Sequence, residues 1–152
     1  MADVFSASKR SEVMSRIRSR GNRDTELRML ALLKKYKLKG WRRGVNLIGK
    51  PDFVWKWKRL ALFVDGCFWH CCPKHGHTPR SRKAYWVAKL SRNMRRDREV
   101  SRGLRKSGWK VLRVWECFLT GSRTVKTVNR ISRALKAASG KKECREAATA
   151  TE

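Results

Sequence analysis

The fold of this chain is decided by residues 60–75, which read LALFVDGCFWHCCPKH. The first five of these residues form a continuous apolar run, which predicts a central strand buried on both faces. Residues 65–75 add three cysteines, two histidines, one carboxylate and two adjacent aromatic side chains. Cysteine with histidine indicates a metal site, aspartate with histidine indicates hydrolysis, and the aromatic pair offers flat rings for stacking. We therefore expect a loop with several candidate functional residues at the C-terminal end of a buried strand.

The hydrophobic pattern of the whole chain predicts an α/β domain with a single sheet. Predicted helices cover 24–38, 85–106 and 124–138, and predicted strands cover 41–47, 52–55, 60–64 and 109–115. The predicted organisation is a basic N-terminal arm (1–22), one domain (23–138) and a C-terminal segment (139–152) that we expect to be disordered.

The charge of the chain indicates a polyanionic partner. Lysine and arginine number 39 against 12 acidic residues, which gives a formal net charge of +27. Nucleic acid is the first candidate and an anionic membrane surface the second, while solubility or a ribosomal-type scaffold would also explain the charge. No apolar run approaches the roughly 20 residues of a spanning helix, and the first residues lack the apolar centre of a secretory signal. We expect a cytoplasmic protein with reduced thiols and no membrane partner.

A zinc site is expected near the loop that follows the buried strand. Its four candidate ligands are Cys67, Cys72, His75 and Cys117. Three thiolates and one imidazole make a full tetrahedral shell, which would pin an irregular loop with little core of its own. Cys71 and His77 are spare candidates. The spacing is not a standard zinc-finger pattern, and reduced, buried cysteines are the alternative.

A second metal site is expected around Asp52. This residue begins one predicted strand, and the next predicted strand ends at Val64-Asp65. Pairing of these strands would bring the carboxylate close to a backbone carbonyl or a second acid, and such oxygen ligands suit Mg²⁺ acting on a phosphodiester. The alternative is that Asp52 only caps the turn after Pro51.

His70 is the candidate proton acceptor, because a histidine can take a proton from water or return one to a leaving group. The alternatives are a zinc ligand or a surface histidine, but the flanking cysteines already fill a metal site. Glu26 and Asp97 are scarce acids in basic surroundings. Either forms a helix salt bridge with a nearby arginine, or orients His70 or holds metal-bound water.

Phe68, Trp69 and Trp86 are the aromatic side chains with a candidate function. Burial in the core is the usual fate of such residues. In a strongly basic chain, beside metal ligands, we instead expect them to be exposed, since exposed aromatic wedges insert between base pairs and unstack them.

Seven short segments stand in a fixed order over roughly residues 8–135. They are Arg10-Ser11-x-x-Met14-x-x-Ile17, Asp24-Thr25-Glu26, Gly49-Lys50-Pro51-Asp52-Phe53, Asp65-Gly66-Cys67-Phe68-Trp69-His70, Cys72-Pro73-Lys74-His75-Gly76, Tyr85-Trp86-x-x-Lys89-Leu90-x-x-Asn93-x-x-Arg96-Asp97 and Gly108-Trp109-x-Val111-Leu112-x-x-Trp115-Glu116-Cys117. Each segment is weak alone, but the ordered set is highly specific. With these segments the sequence resembles the very-short-patch repair (Vsr) family of bacterial DNA mismatch endonucleases.

The resemblance implies a restriction-endonuclease-like fold, a mixed sheet flanked by helices with a structural zinc site. It also implies a Mg²⁺-dependent nick on the 5′ side of the thymine in a T:G mismatch, the product of 5-methylcytosine deamination. The implied partner is double-stranded DNA carrying that mismatch, with mismatch-repair proteins as further partners. The protein would be a nucleoid-associated monomer.

Carried over residue by residue, the resemblance gives each candidate a role. Asp52 and the carbonyl of Val64 bind Mg²⁺, and His70 is the general base. The supporting acids are Glu26, Asp65 and Asp97. The structural zinc ligands are Cys67, Cys72, His75 and Cys117. The intercalating wedge consists of Phe68, Trp69 and Trp86, and the basic arm closes on the DNA.

Two other hypotheses remain open on the sequence. One is a restriction-like or nonspecific DNA nuclease on the same fold, and the other is a catalytically silent, zinc-stapled DNA-binding protein. Intact Asp52 and His70 argue against the second, whereas only the choice of substrate separates the first from a mismatch enzyme. In every case the charge predicts strong nonspecific duplex binding with a steep salt dependence.

Overall fold

The computed structural model describes residues 23–137, so the predicted basic arm and the predicted C-terminal segment lie outside the described residues. The helices are α1 (Arg28–Lys35), which follows a π-helical turn (Arg23–Leu27), α2 (Lys83–Lys106) and α3 (Arg123–Lys136). The strands are β1 (Phe53–Trp55), β2 (Leu60–Asp65) and β3 (Lys110–Trp115). Short 3₁₀ turns follow β1 (Lys56–Lys58) and β3 (Glu116–Phe118).

The three strands form one mixed sheet in the order β1-β2-β3. β1 pairs antiparallel to β2, with Phe53 opposite Leu62, and β3 pairs parallel to β2, with Val114 opposite Val64. All six residues of β2 are buried because this strand has a neighbour on each side and helices over both faces. The predictions of a mixed α/β domain and of a central buried strand are confirmed.

The two faces of the sheet are covered by different helices. Leu62 and Val64 belong to the larger core, which also contains Leu33 from α1 and Ile131 from α3. Ala61 and Phe63 lie on the opposite face, where they pack with side chains of α2. Because side chains alternate along a strand, the side chain of Asp65 emerges on the α2 face, at the end of the strand.

α2 confirms the long basic helix that the sequence predicted, and it begins two residues earlier. It buries Trp86, Leu90 and Leu104, and the left-handed φ of +76° at Gly108 allows the sharp turn into β3. Within residues 23–137, no helix combines the length and the apolar character that crossing a bilayer requires.

The predicted first strand, 41–47, is wrong except at one residue. Arg42 and Val54 exchange two backbone hydrogen bonds of 2.8 and 2.9 Å, but no longer pairing follows. Gly44 has a φ of +66°, outside the extended region, so the chain leaves the sheet edge there. The predicted first helix is also shorter than expected, because Lys37 already has a left-handed φ of 53°. These departures create the loop that brings residues 43–52 to the edge of the sheet.

Candidate active site and metal centre

An open cleft of about 1030 Å³ lies at the C-terminal end of β2, between the loops that flank the sheet and α2. Its walls carry both signs of charge. The acidic lining residues are Glu26, Asp52, Asp65 and Asp97. The basic lining residues are Arg43, Lys50, Lys89, Arg96 and Arg113, and His70 also lines the cleft. The structure therefore brings together every acid that the sequence predicted for the site.

Asp52 is placed in the cleft by the pairing of β1 with β2. Its Oδ2 accepts a hydrogen bond of 2.7 Å from the backbone N–H of Val64. Burial raises the pKa of the Asp52 carboxyl from 3.8 to about 6, although the Val64 amide opposes the shift. The negative charges of Glu26 and Asp65 raise it further. The ionised form of such a buried carboxylate, close to other acids, would be stabilised by a bound divalent cation. Hard cations such as Mg²⁺ prefer oxygen ligands of this kind.

His70 is held by a carboxylate on α2. Its Nδ1 lies 2.5 Å from Oδ2 of Asp97 and 3.9 Å from Oδ1 of Asp65. Because a carboxylate only accepts hydrogen bonds, Nδ1 carries the hydrogen, and the neutral ring then keeps its lone pair on Nε2. Burial alone would raise the pKa of Asp97, but the hydrogen bond with His70, the positive charge of that ring when it is protonated, and the charge of Arg113 hold it below its ordinary value. The pair is therefore arranged to present one basic nitrogen.

Glu26 is buried at the opposite wall of the cleft. The π-helical turn before α1 carries it, and Arg43 binds its Oε1 through Nε at 2.8 Å and through a closer Nη2 contact. The sequence left open whether Glu26 forms a salt bridge or supports the site. The structure shows a salt bridge with Arg43, which lies seventeen residues further along the chain.

The four predicted zinc ligands form one cluster beside the cleft. The ligand atoms of Cys67, Cys72, His75 and Cys117 all lie within 4.8 Å of one another. Sγ of Cys72 is 3.7 Å from Sγ of Cys117 and 3.9 Å from Nδ1 of His75. A tetrahedron with Zn–S bonds of 2.3 Å has edges of about 3.8 Å, so the donors fit zinc in both chemistry and spacing. The spare candidates, Cys71 and His77, are not part of this cluster.

The protonation of the thiols also suits a cation. Burial opposes ionisation of Cys72, but the amides of Lys74 and His75 and the His75 ring lower its pKa to about 7. Burial raises the pKa of Cys67 to about 12, so the cluster without a metal holds only part of its possible negative charge. A bound metal would replace the protons that the remaining thiols retain.

Hydrogen bonds hold the loop formed by residues 66–77 on both sides of the Phe68-Trp69 pair. The amide of Cys67 donates to Oε2 of Glu116 at 3.2 Å, and Asn93 on α2 donates to the carbonyl of Trp69 at 3.1 Å. The amide of Cys72 bonds the carbonyl of Cys67 at 2.9 Å and closes the turn. His70 therefore lies on a segment anchored both to α2 and to the residue after β3.

The three candidate wedge aromatics are in mutual contact. The Phe68 ring centroid lies 5.0 Å from that of Trp69 and 5.3 Å from that of Trp86. Nζ of Lys89 lies over the Trp69 and Trp86 rings, 5.2 and 5.4 Å from their centroids. Phe68 and Trp69 are only partly exposed and Trp86 is 9% exposed, so the expectation that all three would be exposed is wrong for Trp86 and only partly met for the other two. The Trp86 ring is buried because it packs against Phe68 and Trp69. Of these three rings, only that of Trp69 lines the cleft.

Arg113 is the main site residue that sequence reasoning missed. It lies in a strand whose alternating pattern gave no sign of which face is covered, and its guanidinium bonds Asp65 through Nε and Nη2, both at 2.6 Å. Arg43, Asn93 and Glu116 were also missed as site residues. An arginine flanked by apolar residues in a short strand was the available signal for Arg113.

Comparisons with known proteins agree with the geometry. Residues 2–77 match the family model described as DNA mismatch endonuclease Vsr. The type II nicking enzyme V.NmeAIP of Neisseria meningitidis (serogroup A, serotype 4A) is 37% identical over 143 residues, 90% of this chain and 98% of that protein. The DNA mismatch endonuclease Vsr of Escherichia coli (strain K12) is 39% identical over 128 residues, 80% of this chain and 78% of that protein.

A third similarity covers less of each protein. The type II nicking enzyme V.NaeI of Lentzea aerocolonigenes is 51% identical over 75 residues, 49% of this chain and 45% of that protein. The two longer matches extend over most of both chains, and the family match contains Asp52, His70 and three of the four clustered metal-ligand candidates. This chain belongs to the Vsr family of DNA mismatch endonucleases and is an endodeoxyribonuclease.

Proposed function

We propose that this endonuclease nicks DNA on the 5′ side of the thymine in a T:G mismatch, in a Mg²⁺-dependent reaction. The nick would start very-short-patch repair of deaminated 5-methylcytosine. The observation that carries the proposal is that one basic-rimmed cleft holds both the Asp52 carboxylate and the His70–Asp97 pair. A cation ligand and an oriented base in one cleft are what hydrolysis of a phosphodiester requires.

Asp52 and the carbonyl of Val64 are the proposed cation ligands. Mg²⁺ bound there would polarise the phosphoryl oxygen and stabilise the leaving 3′ oxygen. The hydrogen bond between Val64 N–H and Asp52 holds one carboxylate oxygen at the end of β2, so the side chain is already ordered before the substrate arrives. Ligands held in this way lose little freedom on binding.

His70 is the proposed general base. The Asp97 carboxylate accepts the Nδ1 hydrogen at 2.5 Å and fixes the plane and the tautomer of the ring. Nε2 is then free to take a proton from the water that attacks the phosphorus. Glu26 and Asp65 are proposed to support the site through the arginines that they bind rather than to react themselves.

The DNA is proposed to lie across the rim of the cleft. Lys50, Lys89 and Arg96 line this rim and would contact phosphates. Trp69 would enter the base stack next to the mismatch, with Phe68 and Trp86 behind it, since unstacking is less costly at a mismatched pair. The basic arm, residues 1–22, would close on the duplex.

We also propose a fold family and a structural metal for the scaffold. The described α/β core would be the centre of a restriction-endonuclease-like domain spanning residues 23–138, and the cluster of Cys67, Cys72, His75 and Cys117 would bind structural zinc. The protein would act as a monomer at the bacterial nucleoid, with mismatch-repair proteins completing the repair. The relatives V.NaeI and V.NmeAIP are both named nicking enzymes, which supports cutting of one strand.

The test uses end-labelled duplexes that differ only in a central T:G or T:A pair. The full chain is assayed with Mg²⁺, with EDTA, and with Mg²⁺ restored after EDTA to show that zinc was not lost. We expect one nick 5′ of the mismatched thymine, only with Mg²⁺. Asp52→Asn should lower the nicking rate about 10³-fold.

The matched control is Glu99→Gln, which removes one negative charge from an exposed position on α2 outside the cleft. It should nick like the wild type. Equal cutting of the T:G and T:A duplexes would refute mismatch specificity and favour the restriction-like hypothesis. Activity retained by Asp52→Asn would refute the proposed cation site.

A further inference from the structure

We propose that Arg113 is a positioning residue of this site, which withholds Asp65 from the catalytic cation and holds Asp97 in place for His70. The inference rests on the proposed function, because it assigns the cation to Asp52. It adds Arg113 to the residues of the site and specifies how Asp65 supports it, as an anchor for Arg113 rather than as a cation ligand.

The first observation is the position of Arg113 in the sheet. In the β2–β3 register it stands opposite Phe63, on the face that α2 covers. Its guanidinium carbon lies 4.9 Å from the centroid of the Phe63 ring, and the side chain is 23% exposed. A charged group in such an environment is tolerated only where partners compensate its lost hydration.

The second observation is how its donors are used. Nε donates to Oδ2 and Nη2 to Oδ1 of Asp65, both at 2.6 Å, so one guanidinium edge engages both oxygens of that carboxylate. Nη2 also lies 3.0 Å from Oδ1 of Asp97, whose Oδ2 faces His70. Nη1 lies 3.5 Å from the Asp97 carbonyl. Arg113 thus joins the end of β2 to α2 at the point where the base is oriented.

The third observation is the distribution of arginines among the four acids of the cleft. Glu26 binds Arg43, while Asp65 and Asp97 share Arg113. Asp52 accepts a backbone amide, and among the described residues it has no arginine or lysine in salt-bridge contact. The two arginines therefore leave Asp52 as the acid available to a cation. Without Arg113, the Asp65 carboxylate would be a competing ligand at the same strand end.

The experiment measures Mn²⁺ binding to the zinc-loaded full chain without DNA, by calorimetry, together with nicking at saturating T:G duplex. In Arg113→Met we expect Mn²⁺ to bind at least about threefold more tightly than in the wild type, because Asp65 becomes available. The nicking rate should fall about 10- to 100-fold, the usual range for a group that orients a ligand or base. The Kd for DNA should change much less.

Two further variants separate positioning from a merely structural role. Adding Asp65→Asn to Arg113→Met should return Mn²⁺ affinity to the wild-type value. Arg113→Lys keeps the charge but not the paired hydrogen bonds, so its nicking rate should lie between those of the wild type and Arg113→Met. Arg105→Met is the matched control, because it makes the same change at an exposed position near the far end of α2.

Asp65→Asn alone keeps the proposal testable even if Arg113→Met does not fold. It should bind Mn²⁺ like the wild type, whereas Asp52→Asn should lose this binding. Loss of Mn²⁺ binding in Asp65→Asn would overturn the inference, as would a folded Arg113→Met with unchanged nicking or unchanged Mn²⁺ affinity. A wild type that does not nick T:G duplex would refute the proposed function instead, and the Mn²⁺ comparison would still decide the role of Arg113.

Discussion

Two polar clusters lie on either side of the Phe68-Trp69-His70 segment, and they are stabilised in opposite ways. In the thiol cluster, Cys67, Cys72, His75 and Cys117 face one another within 4.8 Å, and a shared cation is what their donor atoms fit. In the acid cleft, arginines bind three of the four carboxylates. The first cluster thus offers its donor atoms to a proposed shared cation, whereas three acids of the second are already paired with arginines of the same chain.

This contrast suggests how one short loop could serve both the proposed structural zinc site and the proposed catalytic Mg²⁺ site without an exchange of the two metals. Soft thiolate ligands select zinc, and hard oxygen ligands select Mg²⁺. The segment between the clusters carries the proposed base and the proposed wedge, so each function is supported from both sides. Four predictions test this contrast between the two clusters.

The largest effect is expected from Cys117→Ser. This residue follows β3 and ties the loop to the sheet, so its loss should remove zinc and release the loop. The zinc content determined by metal analysis should fall from about one ion per chain to almost none. The thermal midpoint should fall by more than about 10 °C, because structural zinc supplies folding free energy. Cys71→Ser should keep its zinc, since Cys71 lies outside the cluster; zinc retained in Cys117→Ser would contradict the assignment.

The second effect concerns the stability of the chain without Mg²⁺. The pKa of Asp52 is raised from 3.8 to about 6, so the native state binds more protons than the unfolded state between these values. Unfolding free energy should therefore decrease as pH rises from about 4 to 6, by at most about 3 kcal/mol. Asp52→Asn should remove this decrease and stabilise the protein at pH 7. Urea denaturation at a series of pH values measures the unfolding free energy of both proteins. The same pH dependence in the wild type and in Asp52→Asn would refute the prediction.

The third effect is on mismatch discrimination. Trp69→Ala should weaken binding to T:G duplex about tenfold, because one base–aromatic stack contributes about 1–3 kcal/mol. Binding to T:A duplex should change less, since its bases stay stacked. Fluorescence anisotropy with Ca²⁺ in place of Mg²⁺ would measure both Kd values. Trp57→Ala is the control, since Trp57 is 67% exposed beyond β1, at the opposite end of the sheet; equal losses in both variants would exclude a specific wedge.

The smallest effect is expected at the rim. Arg96→Met should reduce the slope of log K against log salt by about 1, as for loss of one phosphate contact, and should affect T:G and T:A duplexes alike. Arg105→Met, at the far end of α2, should leave the slope nearer that of the wild type. A change in the T:G to T:A ratio in Arg96→Met would instead show that the rim reads the mismatch.

The sequence predicted the parts of the fold that local pattern determines. The apolar run at 60–64 and the basic helix at 85–106 were sufficient for β2 and α2. The prediction of a strand at 41–47 was wrong because strand pairing depends on a partner that is distant in sequence. Here the backbone turns away from that partner, β1, at Gly44. Local composition could not reveal either condition.

The candidate site shows the same division. Counting ligand types was enough to group Cys117 with the loop, because zinc needs four donors. Arg113 was missed because its partner Asp65 lies 48 residues away, and alternation in a strand does not tell which face is covered. The prediction that Trp86 is exposed was wrong because the burial of a ring depends on the side chains that pack over it in the fold.

The parallel pairing of β2 with β3 has a consequence for how the enzyme comes into being during folding. It joins residues about fifty positions apart, from Leu60 opposite Lys110 to Asp65 opposite Trp115. Contacts of such long sequence separation form late, because loop closure must precede them. Arg113 and Cys117, which complete the two clusters, both arrive with that last strand. A chain that has not yet released residues 110–117 from the ribosome therefore lacks Arg113 in the acid cleft and Cys117 in the thiol cluster.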